Sequence, residues 1–164
     1  MSKYHTGPSA ILPVFLSFFV AFILTAMPLP DMLMFARPEW VVLVVFYWTL
    51  YLPTRFGISV AWFVGLMLDV LDGNLLGLQA ISTSGVAYIV LVIHQRLKLY
   101  PLPHQSIVVF LVVGLHLAFV HWAQGLTGIV SSGYAYLTPA ISSAAIWTVV
   151  AVLLLTLQRA FRVN

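Results

Sequence analysis

The chain has 164 residues, of which 62% are hydrophobic and 7% are charged, and its mean hydropathy is +1.07. In soluble domains about a quarter of all residues are charged. This composition therefore excludes a soluble globular protein and predicts that most of the apolar surface faces lipid. The absence of cysteine excludes thiolate chemistry and Cys-ligated metal sites, and the scattered basic residues behind a net charge of +3 do not form the patch that nucleic-acid binding requires.

Apolar segments recur along the chain between short breaks that contain proline, glycine or charged residues. The hydrocarbon core of a bilayer is about 30 Å thick and is crossed by roughly 20 apolar residues in an α-helix. The sequence therefore predicts an all-α integral membrane protein, a single polytopic domain over residues 1–164 with a bundle of six transmembrane helices. The six predicted segments are residues 10–27, 39–52, 56–71, 75–93, 105–122 and 140–157.

The second and third segments are shorter than a comfortable membrane span. About 14 to 16 residues form only about 21–24 Å of helix. Two alternatives follow: two short helices that reach a thinned cytoplasmic edge at Arg55, or a re-entrant hairpin whose turn at residues 53–56 stays inside the protein. We favour two spans, because a buried Arg55 would need a carboxylate partner and all four carboxylates lie toward the other end.

The distribution of Lys and Arg predicts the orientation. Six basic residues lie at one end of the predicted bundle, and Arg37 alone lies at the other. Because cytoplasmic loops carry the excess of Lys and Arg, this split predicts a multi-pass protein with both termini in the cytoplasm. The carboxylates Asp31, Glu39, Asp69 and Asp72 fall at or near the opposite, outer end. The six basic residues are Lys3, Arg55, Arg96, Lys98, Arg159 and Arg162.

Asp69 lies inside the third segment, where an ionisable side chain needs a partner or a functional role. One alternative is an ion or proton site. The other is a structural contact, either an ion pair with Arg37 or a hydrogen bond to a neighbouring helix. Gly65, one helical turn earlier on the same face, would let another helix approach this carboxylate closely. We predict a polar cluster at the outer end that contains Arg37, Glu39, Asp69 and Asp72.

His116 lies near the middle of the fifth segment, and His121 follows five residues later. Five residues rotate a helix by about 140°, so the two imidazoles do not converge on one metal ion. His116 either forms a hydrogen bond with Ser or Thr on an adjacent helix, or serves as a proton relay or substrate contact. Candidate hydroxyl partners are Ser82, Thr83, Ser84, Ser142 and Ser143.

Small and aromatic residues indicate how the helices pack. Small residues favour close helix contacts in membranes, so Gly65, Gly77 and Ser142 are candidates for helix packing or for a groove that receives a partner helix. Aromatic residues toward segment ends, among them Tyr47 and Trp48, predict an interfacial belt. No nucleophile elbow, phosphate-binding loop or metalloprotease motif occurs in the sequence, which predicts a protein without enzymatic activity or a cofactor.

Five short motifs follow one another over residues 37–77. They are R-P-E-W at 37–40, Y-W at 47–48, P-T-R at 53–55, G-L-M-L-D at 65–69 and G-N-L-L-G at 73–77. Together with the chain length and hydropathy, this pattern resembles the MreD family of rod shape-determining proteins. The resemblance implies a non-enzymatic, inner-membrane component of the bacterial elongation machinery, which directs lateral-wall peptidoglycan synthesis. It also implies a complex with the bitopic protein MreC and, through MreC, with the actin-like MreB, the glycosyltransferase RodA and a class B penicillin-binding transpeptidase.

The same family is similar in helix count and size to the substrate-binding components of energy-coupling-factor transporters. This similarity implies an alternative function, in which a pocket toward the outer end, lined by segments three to five, binds a small molecule or a lipid. We favour the hypothesis that the working surface is a groove between helices that receives the transmembrane helix of MreC, because the sequence offers helix packing and no candidate catalytic pocket.

Overall fold

The computed structural model describes residues 11–28, 30, 36–73, 75–126, 128 and 134–161, apart from the side chains of residues 134 and 135. Lys3, Asp31 and Arg162 lie outside these ranges. Within them the chain forms six α-helices, each of which overlaps one predicted segment, because proline and glycine between apolar runs end the helices near the expected residues. The helices are α1 (Ile11–Ala26), α2 (Trp40–Tyr51), α3 (Ile58–Asp72), α4 (Leu78–Leu97), α5 (Leu102–Leu126) and α6 (Thr138–Ala160), and a 3₁₀ turn covers Tyr134–Leu137.

Three of the described helices are long and apolar enough to cross a membrane, namely α4, α5 and α6 with 20, 25 and 23 residues. Exposed side chains on the outer helix faces are also apolar, such as Phe15 on α1 (71% exposed) and Val70 on α3 (72%). Lipid tolerates such faces and water does not, so the chain is a membrane protein. The α1, α2 and α3 helices have 16, 12 and 15 residues.

The short α2 helix is at the centre of the bundle. It packs against α1, α4, α5 and α6, and every residue from Val41 to Leu50 is buried. The helix has no polar face, and a helix that is apolar all round is stable only where other apolar elements surround it. The core is therefore built around a helix only about 18 Å long.

The interfacial role predicted for Tyr47 and Trp48 is wrong. Both side chains are fully buried among the helices, with 0% exposure. The Trp48 indole donates a hydrogen bond to Ser17 Oγ on α1 (2.8 Å), and the Tyr47 hydroxyl donates to Gln158 Oε1 on α6 (2.9 Å). Buried Trp and Tyr need such partners for their polar atoms, so these two residues connect α1 and α6 to the central helix.

The α3 and α4 helices form the most extensive helix pair in the bundle. The turn between them contains two glycines in the left-handed conformation, Gly73 after α3 (φ 64°) and Gly77 before α4 (φ 102°). Glycine adopts these angles without a steric penalty, so the chain reverses direction within a few residues. This tight turn brings the last turn of α3 next to the first turn of α4.

Candidate functional site

The Asp69 carboxylate is fully buried and binds the first turn of α4. Its Oδ2 accepts hydrogen bonds from the backbone N–H groups of Gly77 (2.8 Å) and Ala80 (3.3 Å). Its Oδ1 accepts a hydrogen bond from the backbone N–H of Gln79 (2.8 Å). The first N–H groups of a helix have no partner within the helix, and the helix dipole favours a negative charge beside them. Among the predicted alternatives, the structure therefore contains the hydrogen bond to a neighbouring helix.

The approach of α4 to α3 is closest at Gly65. A Cβ atom at this position would lie 2.7 Å from Ala80 N and would also collide with Ala80 Cα and Thr83 Oγ1. Thr83 cannot move away freely, because its hydroxyl donates a hydrogen bond to the backbone oxygen of Ala61 on α3 (2.9 Å). Gly65 lies inside the bundle, so its position fits a contact between the protein's own helices and not an open partner groove.

The other members of the predicted cluster lie around Arg37. This residue is within electrostatic range of both Glu39 and Asp72, and Asp72 Oδ2 accepts a long hydrogen bond of 3.4 Å from Gln79 Nε2. In the described part of the chain, no ion pair joins Arg37 to Asp69, and the Arg37 Nη2 atom is buried without a hydrogen-bond partner. Arg37, Glu39 and Asp72 therefore form one group. Asp69 is within electrostatic range of Asp72 as well, but its own oxygens bind backbone N–H groups at the start of α4.

The other packing candidates do not share a surface with Gly65. Gly77 lies in the turn before α4, where a Cβ atom would meet nothing within 4 Å. Ser142 lies on α6, and its hydroxyl donates to Pro139 O of the same helix (3.0 Å). Its neighbour Ser143, which the sequence offers only as a possible partner of His116, instead holds the start of α2 against α6, because its Oγ accepts a hydrogen bond from the Glu39 N–H (3.0 Å). Only the rotation of α6 in the bundle decides which serine faces α2, so no sequence signal distinguishes the two.

His116 is buried between α4 and α5. Its Nδ1 lies 2.6 Å from Ser82 Oγ, which agrees with the predicted hydrogen bond to a hydroxyl on an adjacent helix. The His116 Nε2 atom is buried and has no hydrogen-bond partner among the residues that the structure describes. His116 and Ser82 both line a cleft of about 280 Å³, which we call the α4–α5 cleft. His121 points elsewhere, since its ring stacks on Tyr136 with centroids 4.2 Å apart.

Two larger grooves open beside α1. The α1–α6 groove has a volume of about 560 Å³ and lies over α2. The α1–α3 groove has a volume of about 630 Å³ and includes Arg55 from the turn between α2 and α3. Both grooves are gaps between helices, and the hydropathy of the sequence does not predict where such gaps occur. The α1–α6 groove is lined mainly by Leu16, Val20 and Leu24 of α1, Trp40 and Val44 of α2, and Val150, Leu153 and Leu157 of α6.

The chemistry of these features is that of packing and hydrogen bonding. Among the described residues, no group of three His, Asp or Glu side chains is arranged to hold a metal ion. The buried polar atoms of Asp69, Ser143 and Ser82 bind other parts of the same chain. The grooves, by contrast, are open to the surroundings and are the surfaces on which the chain is able to receive another molecule.

Comparison with known proteins identifies what the chain is similar to. A family model described as rod shape-determining protein MreD matches residues 9–157. The rod shape-determining protein MreD of Haemophilus influenzae is 36% identical over 131 residues, an alignment that covers 72% of this chain and 80% of that protein. No solved structure matches the chain.

Proposed function

Because the chain belongs to the MreD family of rod shape-determining proteins, we propose that it is a non-enzymatic scaffold of the bacterial inner membrane. In this role it helps to organise lateral-wall peptidoglycan synthesis and thereby the rod shape of the cell. It binds the bitopic protein MreC and, through MreC, the actin-like MreB, the glycosyltransferase RodA and a class B penicillin-binding transpeptidase. Family membership is the observation that carries this proposal.

The α1–α6 groove is the surface that we propose for the transmembrane helix of MreC. Leu16, Val20 and Leu24 follow one another at intervals of four residues along α1, and such rows form the ridges against which a second helix packs. On the opposite wall, Leu153 of α6 is 62% exposed. Helices associate in lipid through close packing, because lipid chains are as apolar as leucine. An open gap between two helices therefore provides the apolar surfaces against which a partner helix is able to pack closely.

We expect Leu153→Trp to reduce the amount of MreC that copurifies from native membranes by about tenfold, which corresponds to a loss of roughly 1.4 kcal/mol of binding free energy. The larger indole fills the groove and keeps the partner helix from packing against α1. The measurement is quantitative mass spectrometry of MreC retained by the affinity-purified variant, together with rescue of rod shape in cells that lack the wild-type protein.

Leu111→Trp is the matched control for Leu153→Trp. Leu111 is also 62% exposed, lies on α5 and lines none of the three openings described above. The Leu111→Trp protein should retain MreC at the wild-type level. Equal loss of MreC in both variants, or full retention in a well-expressed Leu153→Trp protein, would exclude this groove as the docking surface.

We further propose that the protein crosses the membrane six times, with both termini in the cytoplasm. The α2 helix has 12 residues, but protein surrounds it from Val41 to Leu50, so its length does not have to match the thickness of the lipid. The excess of Lys and Arg at one end supports the orientation. The two short helices α2 and α3 then meet at the cytoplasmic face in the turn that contains Arg55.

Single cysteines report this topology directly, because the chain has none of its own. We expect Lys98→Cys and Thr54→Cys to be shielded from a membrane-impermeant maleimide in intact spheroplasts and to react after lysis, and Ser132→Cys to react in both. Thr54 lies in the exposed turn between α2 and α3. In a re-entrant hairpin this turn stays inside the protein, so protection of Thr54→Cys after lysis would replace two spans with a hairpin. Labelling of Lys98→Cys from outside would reverse the orientation.

A second candidate function is a membrane transport subunit that binds a small molecule or a lipid, similar to the substrate-binding components of energy-coupling-factor transporters. The α4–α5 cleft favours it, because His116 and Ser82 supply polar atoms in an otherwise apolar cleft. Native mass spectrometry of the protein purified from bacterial membranes separates the two functions. A stoichiometric small ligand indicates the transport subunit, and copurified MreC without such a ligand indicates the scaffold.

A further inference from the structure

The α1–α3 groove exists because these two helices hardly touch each other, although both pack on other helices of the bundle. Phe56 lines this groove, and its ring stacks on Phe18 of α1 with centroids 6.3 Å apart and lies 6.0 Å from the Trp48 ring of α2. At its rim, the exposed side chains of Phe15 and Phe63 leave it open to the surrounding lipid. The groove therefore has an aromatic contact to α1 and to α2 at Phe56 and is accessible from the side.

Arg55 is the one charged residue among the described residues that line this groove, and the others are apolar. Its side chain is exposed in the turn between α2 and α3. Within the part of the chain that the structure describes, no hydrogen bond or ion pair engages its guanidinium. The groove thus combines an apolar wall with a positive charge that none of the described residues pairs with.

The α3 wall of the groove has the length of one lipid leaflet. It continues from Arg55, next to the start of α3 at Ile58, to Met67. The rise from Ile58 to Met67 is about 14 Å, and half of a hydrocarbon core is about 15 Å. A phospholipid whose phosphate is at the level of Arg55 would therefore have its acyl chain along the whole wall.

We propose that the α1–α3 groove binds one anionic phospholipid of the cytoplasmic leaflet, with its phosphate on Arg55 and an acyl chain along α1 and α3. A guanidinium binds phosphate through two parallel hydrogen bonds, so the arginine fixes the orientation of the phosphate in addition to attracting its charge. The proposal rests on the cytoplasmic position of Arg55 given above. Anionic lipids in this leaflet attract basic side chains close to the membrane surface.

A phospholipid suits this groove better than a transmembrane helix from a partner. A helix that filled the groove would cover Arg55 and would leave its charge without a partner unless the helix carried a carboxylate at the same level. A phospholipid brings its negative charge at the required position and adapts its flexible chain to the uneven wall of phenylalanine and methionine side chains. Charge and depth therefore both favour a lipid.

Native mass spectrometry of the full-length protein tests the proposal. The protein is released from nanodiscs that contain equal amounts of phosphatidylcholine and phosphatidylglycerol, and the composition of the retained lipid is measured. We expect about fivefold enrichment of phosphatidylglycerol on the wild-type protein, the effect of one basic side chain at an anionic surface. Arg55→Gln should retain the two lipids equally, and Arg55→Lys should keep most of the enrichment.

Arg96→Gln is the matched control, because Arg96 is also an exposed arginine of the proposed cytoplasmic end but does not line the groove. It should show the wild-type enrichment. Unchanged enrichment in Arg55→Gln, or the same loss in Arg96→Gln, overturns the proposal, since the preference would then come from total charge. These measurements use no MreC, so their failure leaves the proposed scaffold function intact.

Photocrosslinking in cells identifies the occupant independently. Benzoylphenylalanine in place of Phe63, at the groove rim, should yield a phospholipid adduct. The same replacement of Phe110 on α5, outside the groove, should yield much less. A protein adduct at position 63 would make the groove a protein interface and would overturn the proposal. A lipid adduct equal to that at position 110 would indicate ordinary bulk lipid and would do the same.

Discussion

In the Gly65→Ala protein, we expect the bundle to lose about 3 kcal/mol or more of stability, the upper range for overpacking a well-packed interior. The added methyl group would lie 2.7 Å from Ala80 N and closer still to Ala80 Cα and Thr83 Oγ1. Backbone atoms have no alternative rotamer, so α3 and α4 would have to separate. Thermal unfolding in detergent should show the midpoint falling by roughly 6–12 °C for a chain of this size.

Two other helical glycines provide matched controls for Gly65→Ala. A Cβ atom at Gly85 would meet nothing within 4 Å, and one at Gly114 would make an ordinary contact of 4.0 Å with Ala140. Alanine is favoured over glycine inside a helix. The free energy of unfolding of Gly85→Ala and of Gly114→Ala should therefore equal that of the wild type or exceed it by up to about 1 kcal/mol. If all three variants unfold at the same temperature, the close approach at Gly65 does not limit stability.

We expect Asp69→Ala to destabilise the protein by about 3–5 kcal/mol, because three backbone N–H groups at the start of α4 lose their acceptor. The turn between Gly73 and Gly77 is then no longer tied to α3. Accumulation in the membrane and the unfolding midpoint should both fall. Asp69→Asn should be intermediate, because its amide keeps one oxygen acceptor and replaces the other with a donor.

Asp72→Asn is the control for Asp69, since the Asp72 side chain makes one long hydrogen bond of 3.4 Å. It should change the stability by less than about 1 kcal/mol. A double-mutant cycle with Arg37→Ala gives a sharper result. Since the oxygens of Asp69 bind α4, the effects of Arg37→Ala and Asp69→Ala should add within about 0.5 kcal/mol. A larger coupling would mean that Arg37 and Asp69 interact directly.

The helices were predictable from the sequence because their signals are local. Apolar runs and the prolines and glycines between them place α2 at Trp40–Tyr51 where residues 39–52 were expected. The neighbours of each helix were not predictable, because in a chain this apolar a side chain that faces lipid and one that faces protein look alike. Tyr47 and Trp48 illustrate this: their position near a segment end indicates an interface, whereas their partners Ser17 and Gln158 lie on distant helices.

The polar cluster was predictable only in part, for a similar physical reason. The position of Asp69 inside an apolar segment indicates correctly that it needs a partner. A sequence shows which side chains, such as that of Arg37, are able to pair with a carboxylate. It does not show which backbone N–H groups will lie next to it. Asp69 binds backbone N–H groups because the glycine turn brings the start of α4 within 2.8 Å of its carboxylate. Such a contact depends on the geometry of one turn.

Because α2 is at the centre of the bundle, its contacts form in the order in which the surrounding helices are synthesised. Translation delivers α2 before α4, α5 and α6, which later cover it. Its 12 residues are too few to cross lipid alone, and α1, against which it packs, is the one neighbour among the described helices that is synthesised before it. The hydrogen bonds from Glu39 to Ser143 and from Tyr47 to Gln158 form only when α6 has been synthesised. A chain interrupted before Thr138 lacks both of these hydrogen bonds and leaves the α6 side of α2 uncovered, so the core around this helix is complete only when the last helix has been made.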